Sequence, residues 1–416
     1  MKRNSVAALL VGAELFLLAG SSSAIPAYAR KYGFNCNMCH TAYPKLNDFG
    51  QRFRDDGYQV AGQEGKEATV FATPPPIAMR TTAGLSVYDS KSGSTAGFNL
   101  FGLDLLASGV LHKNVSFLLI YTPRIDEPAA DHTGEGPAQT GALESAALVF
   151  SNIIPNALNL RIGRFEPGTH AFSSKRSYFL FTPYEMYGFT TPSSANPFSF
   201  DDNQIGAEAT GHFRNGFKYG LGFVNGTGAN PDNNKNKDVY ANLFKTFGRG
   251  DGQSAGQRIG VFGYYGWQPT KDGTLTSPTG EANGADNKTF TRFGADGSLN
   301  WRTWNLELMW MKGLDDKAFH VADPSTNYEY SGLFAELDWA ALMNNRLVAS
   351  VLYNRVSPPE SDAELQVSAV SGLVRYYLGD WSTVNVSIHA EVTHRTFGKA
   401  VKVSENLFAL LLDFAF

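Results

Sequence analysis

The chain has 416 residues, 42 of them glycine, with 13% aromatic and only 18% charged side chains. That composition fits neither a disordered segment nor a helical bundle and leans towards β structure. A formal net charge of −4 gives no electrostatic basis for a nucleic-acid partner. Past the N-terminus no run of about 18 apolar residues occurs, which excludes a helical membrane protein. A β-barrel passes that test, because its strands alternate lipid-facing and lumen-facing side chains.

Lys2 and Arg3 precede an apolar run from Val6 to Ala19 and then Ser21-Ser22-Ser23-Ala24, the charged, apolar and small-residue order of a secretory signal peptide. The predicted leader covers 1–24, or runs to 29 if the cut follows Ala27-Tyr28-Ala29. A membrane anchor would need a longer apolar run.

The only two cysteines lie in Cys36-Asn37-Met38-Cys39-His40. This is the C-x-x-C-H spacing by which two thiols attach a haem and the adjoining histidine becomes its proximal iron ligand. A zinc site would need four ligands, and no second Cys/His cluster follows. A redox disulfide of the thioredoxin kind would need a βαβ context. The predicted cofactor is therefore one covalent haem c on Cys36, Cys39 and His40, within a segment spanning 25–76. Pro44 is placed to open a helix in which Leu46, Phe49 and Phe53 share a face that packs on porphyrin or on protein. Lys45, Arg52 and Arg54 either pair with haem propionates or form a solvated basic face.

From Ile77 onwards, segments of about ten residues alternate apolar with polar or small side chains between Gly, Asn, Asp, Pro and Ser clusters. Sixteen are predicted, near 77-88, 96-110, 115-122, 143-151, 157-165, 205-214, 217-225, 237-246, 257-267, 288-302, 305-312, 328-340, 346-357, 364-378, 383-394 and 404-416. Short gaps (His112-Lys113-Asn114, Arg214-Asn215-Gly216, Thr303-Trp304, Gly379-Asp380-Trp381) alternate with long polar ones at about 123-142, 166-204, 268-287 and 313-327. The fold class that follows is all-β: a 16-stranded antiparallel transmembrane β-barrel over 77–416, in the outer membrane, with a small N-terminal helical haem segment. A soluble β-sandwich fits the long regular run less well.

Strand parity sorts the side chains. Phe408, Leu410, Leu412, Phe414 and Phe416 share a face, and the terminal aromatic resembles the C-terminal signature of bacterial outer-membrane barrels. Val386, Ile388, Leu333 and Leu337 face lipid, while Trp301, Trp304, Trp310 and Trp339 suit interfacial girdles. Asp104, Glu208, Glu307, Glu336, Asp338 and Glu391 point inward and can attract cations. Arg161, Arg292, Arg302 and Arg375 also point inward, so a mixed-charge pore lining is the plainer reading. The segment 166-204, rich in Phe and Tyr, either folds into the lumen or rests on the outer rim.

These parts resemble the fused cytochrome-porin family of the outer membrane, whose best-known members are iron oxidases. The resemblance rests on Cys36, Cys39 and His40, then Pro44, Leu46, Asn47, Phe49, Gly50, Phe53 and Gly57-Tyr58; it is specific over about residues 29-60 and architectural over the barrel. It implies an Fe(II)-oxidising cytochrome oxidoreductase that passes electrons from an outside donor, through haem, to a periplasmic cytochrome or copper protein. A haem at the inner mouth alone does not bridge an apolar band about 25 Å tall, so either the haem enters the lumen or the donor does. A channel admits a small solvated ion such as Fe(II). A substrate-specific porin with a structural or sensory haem segment, and electron export to an extracellular acceptor, use the same parts. The distal iron ligand is left open among Met79, His112, Met309, Met311, His389 and an open or hydroxide-bound iron.

Overall fold

The computed structural model describes residues 28, 31–42, 45–73, 77–128, 137–167, 177–181, 184–195, 199–200, 202–228, 232, 234–247, 257–270, 287–342, 346–378 and 385–415. The predicted leader, Pro44, Phe416, the 379–381 turn and most of the 268–287 gap lie outside the described residues. A short helix α1 (Cys36–Cys39) and a small hairpin, β1 (His40–Ala42) with β2 (Lys45–Leu46), precede helix α2 (Asp48–Asp55). Helix α2 starts later than the Pro44 reading placed it. Asn47 caps it, its side chain accepting from Gly50 N at 2.9 Å, so Leu46 belongs to the hairpin.

Strands β3 (Ile77–Ser90), β4 (Gly93–His112), β5 (Val115–Pro128), β6 (Pro137–Ile154), β7 (Leu158–Phe165), β8 (Gln204–His212), β9 (Phe217–Val224) and β10 (Asp238–Phe247) form one half of the barrel. A third short helix, α3 (Glu185–Gly188), lies in the connection between β7 and β8. The other half is β11 (Gln257–Pro269), β12 (Asn287–Trp301), β13 (Trp304–Asp315), β14 (Tyr328–Leu342), β15 (Leu347–Ser357), β16 (Val367–Leu378), β17 (Asn385–Phe397) and β18 (Val403–Ala415). Each strand pairs antiparallel with its sequence neighbours, and β18 closes on β3 with Ala415 opposite Arg80, giving a sixteen-stranded closed barrel. Closure removes every free sheet edge, which a bilayer would otherwise leave without hydrogen-bond partners.

All sixteen predicted strands are present, with three local corrections. β5 and β6 extend beyond the predicted ends, so the gap between them shrinks to 129–136. Residues 364–366 are not strand, because a 3-10 helix, Glu360–Leu365, ends there before β16 begins. Arg302 does not point inward. It occupies the two-residue turn between β12 and β13 at φ 54°, exposed, with its guanidinium 5.3 Å from the Trp301 ring centre. Strand parity does not carry through a turn.

The parity reading holds elsewhere. In β18, Phe408, Leu410 and Leu412 are exposed, while Ala409, Leu411 and Asp413 are buried. Exposed Leu221, Phe223, Ile259, Val261, Val351 and Val392 continue the apolar outer face around the wall. Trp304 and Trp339 stack at 5.8 Å beside exposed Trp301, near the short-turn end. A closed barrel with an apolar outside and polar inside is built to sit in a bilayer, and in such barrels the short turns lie on the periplasmic side.

Candidate functional site

The lumen is occupied from both ends. From the short-turn end, Tyr28 and the described residues of 31–60 fold against lumen-facing side chains of the wall. Lys45 Nζ lies 2.5 Å from Asp338, 3.1 Å from Glu307 and 3.7 Å from Glu336, and donates to Asn305 at 2.8 Å. Asp48 pairs with Lys218 at 2.7 Å, Asp55 with His212 at 2.8 Å and Arg54 with Glu166 at 3.2 Å. Asp56 accepts from Asn159 and Ser151, Arg52 reaches Asn156, and Tyr28 bonds Ser108. These partners span β4 to β14.

Lys45 and Arg54 are therefore buried rather than part of a solvated face, while Arg52 stays partly exposed beside Asp56. They fasten the segment to the barrel, because burying a lysine or arginine requires a paired anion and the wall supplies one. Burial disfavours the ionised Asp55 carboxyl, but His212, Arg54 and Arg161 outweigh that and hold its pKa below the ordinary value. Gly57, at φ 68°, passes so close to the wall that a Cβ would lie 2.3 Å from Ser116 Oγ and 2.7 Å from Ser151 Oγ.

Within this segment the motif is tightly organised. His40 N bonds Cys36 O across α1, and His40 pairs with Leu46 in the β1–β2 hairpin. Asn47 joins the two helices: its N donates to Cys39 O at 3.0 Å and its Nδ2 to Met38 O at 3.1 Å, while its Oδ1 caps α2. Gly50 lets α2 press on the motif turn, since a Cβ there would lie 2.1 Å from Cys39 O. Gly50→Ala is expected to loosen this docking by about 1–3 kcal/mol through overpacking. The check is a fall in covalent haem yield with unchanged heat-modifiable gel mobility of the barrel.

Beside the motif, Phe34 and Phe49 meet edge to face at 5.8 Å, and Phe49, Phe53, Tyr58 and Tyr28 continue the aromatic cluster. Phe53 is buried, whereas Phe34 and Phe49 are only half-buried. Both thiols are free and partly accessible, and burial pushes Cys36 up to about 11 and Cys39 up to about 12. Two protonated thiols and an imidazole on one turn, next to half-exposed aromatic rings, form a donor set that fits thioether attachment and axial ligation of a haem. Among the described residues no three His, Cys, Asp or Glu side chains are grouped to hold a bare metal ion.

From the long-loop end, the connection between β7 and β8 turns inward, the first of its two predicted positions. Ser177 Oγ and Tyr184 OH both donate to Glu336 at 2.7 Å. Leu180 N and Phe181 N donate to Glu391, and Arg375 donates to Tyr178 O. Tyr184 stacks on Phe334 at 3.9 Å, and Phe200 packs against Phe262 and Tyr264. The segment thus lines the β11–β17 side of the lumen. Its contact with the N-terminal segment is direct, as Lys45 Nζ sits 5.3 Å from the Tyr178 ring centre.

The predicted inward charges are accordingly mostly engaged with one another. Arg161 bonds Glu208, Arg292 bonds Asp315, and Arg375 reaches Asp413 and His389. Among the suggested distal ligands, Met79 stands on the outward parity opposite exposed Leu105, and His112 is exposed at the end of β4. Met309 accepts from Tyr187, Met311 is buried in the lumenal core, and His389 lies between Arg375 and Glu391. The Lys45 cluster was not legible beforehand, because its partners lie on β13 and β14, far along the chain.

No family model matches the chain, and no curated protein matches it. Solved structures do. An anion-selective porin from Comamonas acidovorans aligns over 82% of this chain and all of its own, at 10% identity and TM-score 0.55. OmpT of Vibrio cholerae aligns over 84% of this chain and all of its own, at 12% identity and TM-score 0.53. Pseudomonas putida OprB aligns over 83% and 95% at 14% identity and TM-score 0.53. At these identities the likeness establishes the porin-type barrel fold.

Proposed function

We propose that the chain carries one haem c on Cys36 and Cys39, with His40 as an axial ligand, and conducts electrons across the outer membrane. The donor on this reading is a small external species, Fe(II), and the acceptor a periplasmic cytochrome or copper protein. The observation that carries the reading is the C-x-x-C-H turn held inside the mouth of a closed barrel by Lys45, Asp55 and Asp56. When bound, the haem supplies a one-electron Fe(III)/Fe(II) couple.

The chain's own contribution is positional. Asn47 and Gly50 set the motif turn on α2, the wall carboxylates fix its depth, and the infolded segment narrows the lumen so that only small solutes reach it. No proton donor, base or nucleophile in the protein is required by a one-electron outer-sphere transfer.

The test is mass spectrometry of the mature, natively expressed chain, followed by anaerobic stopped-flow mixing with Fe(II). The expected results are the added mass of one haem and a shift to the reduced haem spectrum. An unmodified mass ends the redox reading, and a haem that Fe(II) does not reduce ends the iron assignment. The porin-type fold favours solute passage as the second reading. It predicts measurable conductance, whereas a lumen filled by residues 45–60 and 177–200 predicts conductance far below that of an open sixteen-stranded pore.

A further inference from the structure

Six inward carboxylates are candidates for attracting a cation, and five are occupied. Glu307, Glu336 and Asp338 surround Lys45, Glu208 is bonded by Arg161 and Tyr240, and Glu391 holds Leu180 N, Phe181 N and His389. Asp104 differs. It accepts one bond, from Thr122 at 2.9 Å, and has no basic partner among the described residues. Arg80 stands directly opposite it in the β3–β4 ladder but turns Nε to Asp413 at 3.3 Å.

Asp104 lines a cavity of about 270 Å³, together with Arg80, Thr82, Phe101, Gly102 and Phe181. The cavity lies between the β3–β4 wall and Leu180 and Phe181 of the infolded segment. A β-bulge shapes it. Thr82 pairs with Gly102 and Ala83 with Leu100, so Phe101 is the extra residue and its ring meets Phe181 edge to face at 4.7 Å. The hydroxyls of Thr81 and Thr82 are directed to Gly102 O and Asp413. The Asp104 carboxylate is thus the charged acceptor left to the cavity. Six waters at about 30 Å³ each come to roughly 180 Å³, so a hydrated ion fits.

We infer that this cavity is a holding site for one small hydrated divalent cation, with Asp104 as its charged ligand. A single carboxylate backed by water binds weakly, as an ion in transit requires. The site is linked to the N-terminal segment through the infolded segment: Leu180 and Phe181 line it, and Tyr178, just before them in the chain, contacts Lys45. The identification of the ion as an electron donor rests on the proposed redox function; the binding site does not.

The probe is Mn(II), which Fe(III) haem does not oxidise, titrated into the full chain in detergent and followed by the electron paramagnetic resonance of the free ion. One saturable Mn(II) per chain is expected. Asp104→Asn should weaken it by about tenfold, since ligand charge sets affinity at hard-cation sites. Gly102→Trp should abolish it by filling the cavity, because a Cβ at Gly102 meets nothing within 4 Å. The isosteric Asp104→Asn decides the matter if the larger variant fails to assemble. Absence of saturable binding in the wild type, or equal titration of wild type and Asp104→Asn, overturns the site. A chain without haem that still binds Mn(II) through Asp104 sinks only the redox reading. Haem reduced by Fe(II) at the same rate in wild type and Asp104→Asn overturns the identification of this site's ion as the electron donor.

Discussion

The Cys36→Ala/Cys39→Ala double variant is expected to retain no haem after acid extraction under denaturing conditions while still assembling its barrel. Both proposed attachment cysteines lie on α1, whose main contacts are α2 and the β1–β2 hairpin. The sixteen barrel strands pair only with one another, and the closing ladder joins β18 to β3 without any residue before Ile77. Removing the thiols therefore takes away the covalent attachment and leaves the hydrogen-bonded cylinder intact. Reduction by Fe(II) should fall to background in the same preparation, with heat-modifiable gel mobility unchanged. Haem that survives extraction would show that these cysteines are not the attachment sites. Loss of the heat-modifiable form would show that the haem segment is needed to build the barrel.

Lys45→Met is expected to release the N-terminal segment from the lumen. Lys45 is 4% exposed and its partners Glu307, Glu336 and Asp338 are no more exposed than that. Burial alone would favour the neutral amine, but the three carboxylates raise the Lys45 pKa instead, so the ammonium persists across the neutral range. Removing one partner of a buried ion cluster costs about 3–5 kcal/mol, because the remaining charges are left uncompensated. The expected readouts are rapid proteolysis between 31 and 73 and a rise in single-channel conductance. Adding Glu307→Gln and Asp338→Asn to Lys45→Met removes the stranded charges and should recover much of the protection. Unchanged proteolysis in Lys45→Met would mean that Asp48, Asp55 and Asp56 hold the segment by themselves.

The consequences of the Lys45 cluster reach the other end of the lumen. Glu336 accepts from Ser177 and Tyr184 of the infolded segment as well as facing Lys45. Weakening it should thus loosen both occupants together, and the same node ties the walls of the Asp104 cavity to the motif turn.

Residue order alone specified the motif turn and the sixteen strands. A C-x-x-C-H run is contiguous, and period-two alternation is a local consequence of one strand face meeting lipid and the other the lumen. That is why alternation alone puts Phe408, Leu410 and Leu412 on the outer face and Glu336, Asp338 and Glu391 on the inner one, as the barrel does. Parity says which way a side chain points but not what it meets there. The partner of Lys45 lies about 290 residues away, and the partners of Glu391 belong to a connection whose inward fold depends on packing across the lumen. Parity also assumes an unbroken strand. It failed at Arg302, where a turn intervenes, and was silent on Phe101, which a bulge turns inward. Which carboxylate is left to face open space follows from closing the cylinder and filling it from both ends, because Lys45, the neighbouring strands and the infolded segment then engage all but Asp104 of the six.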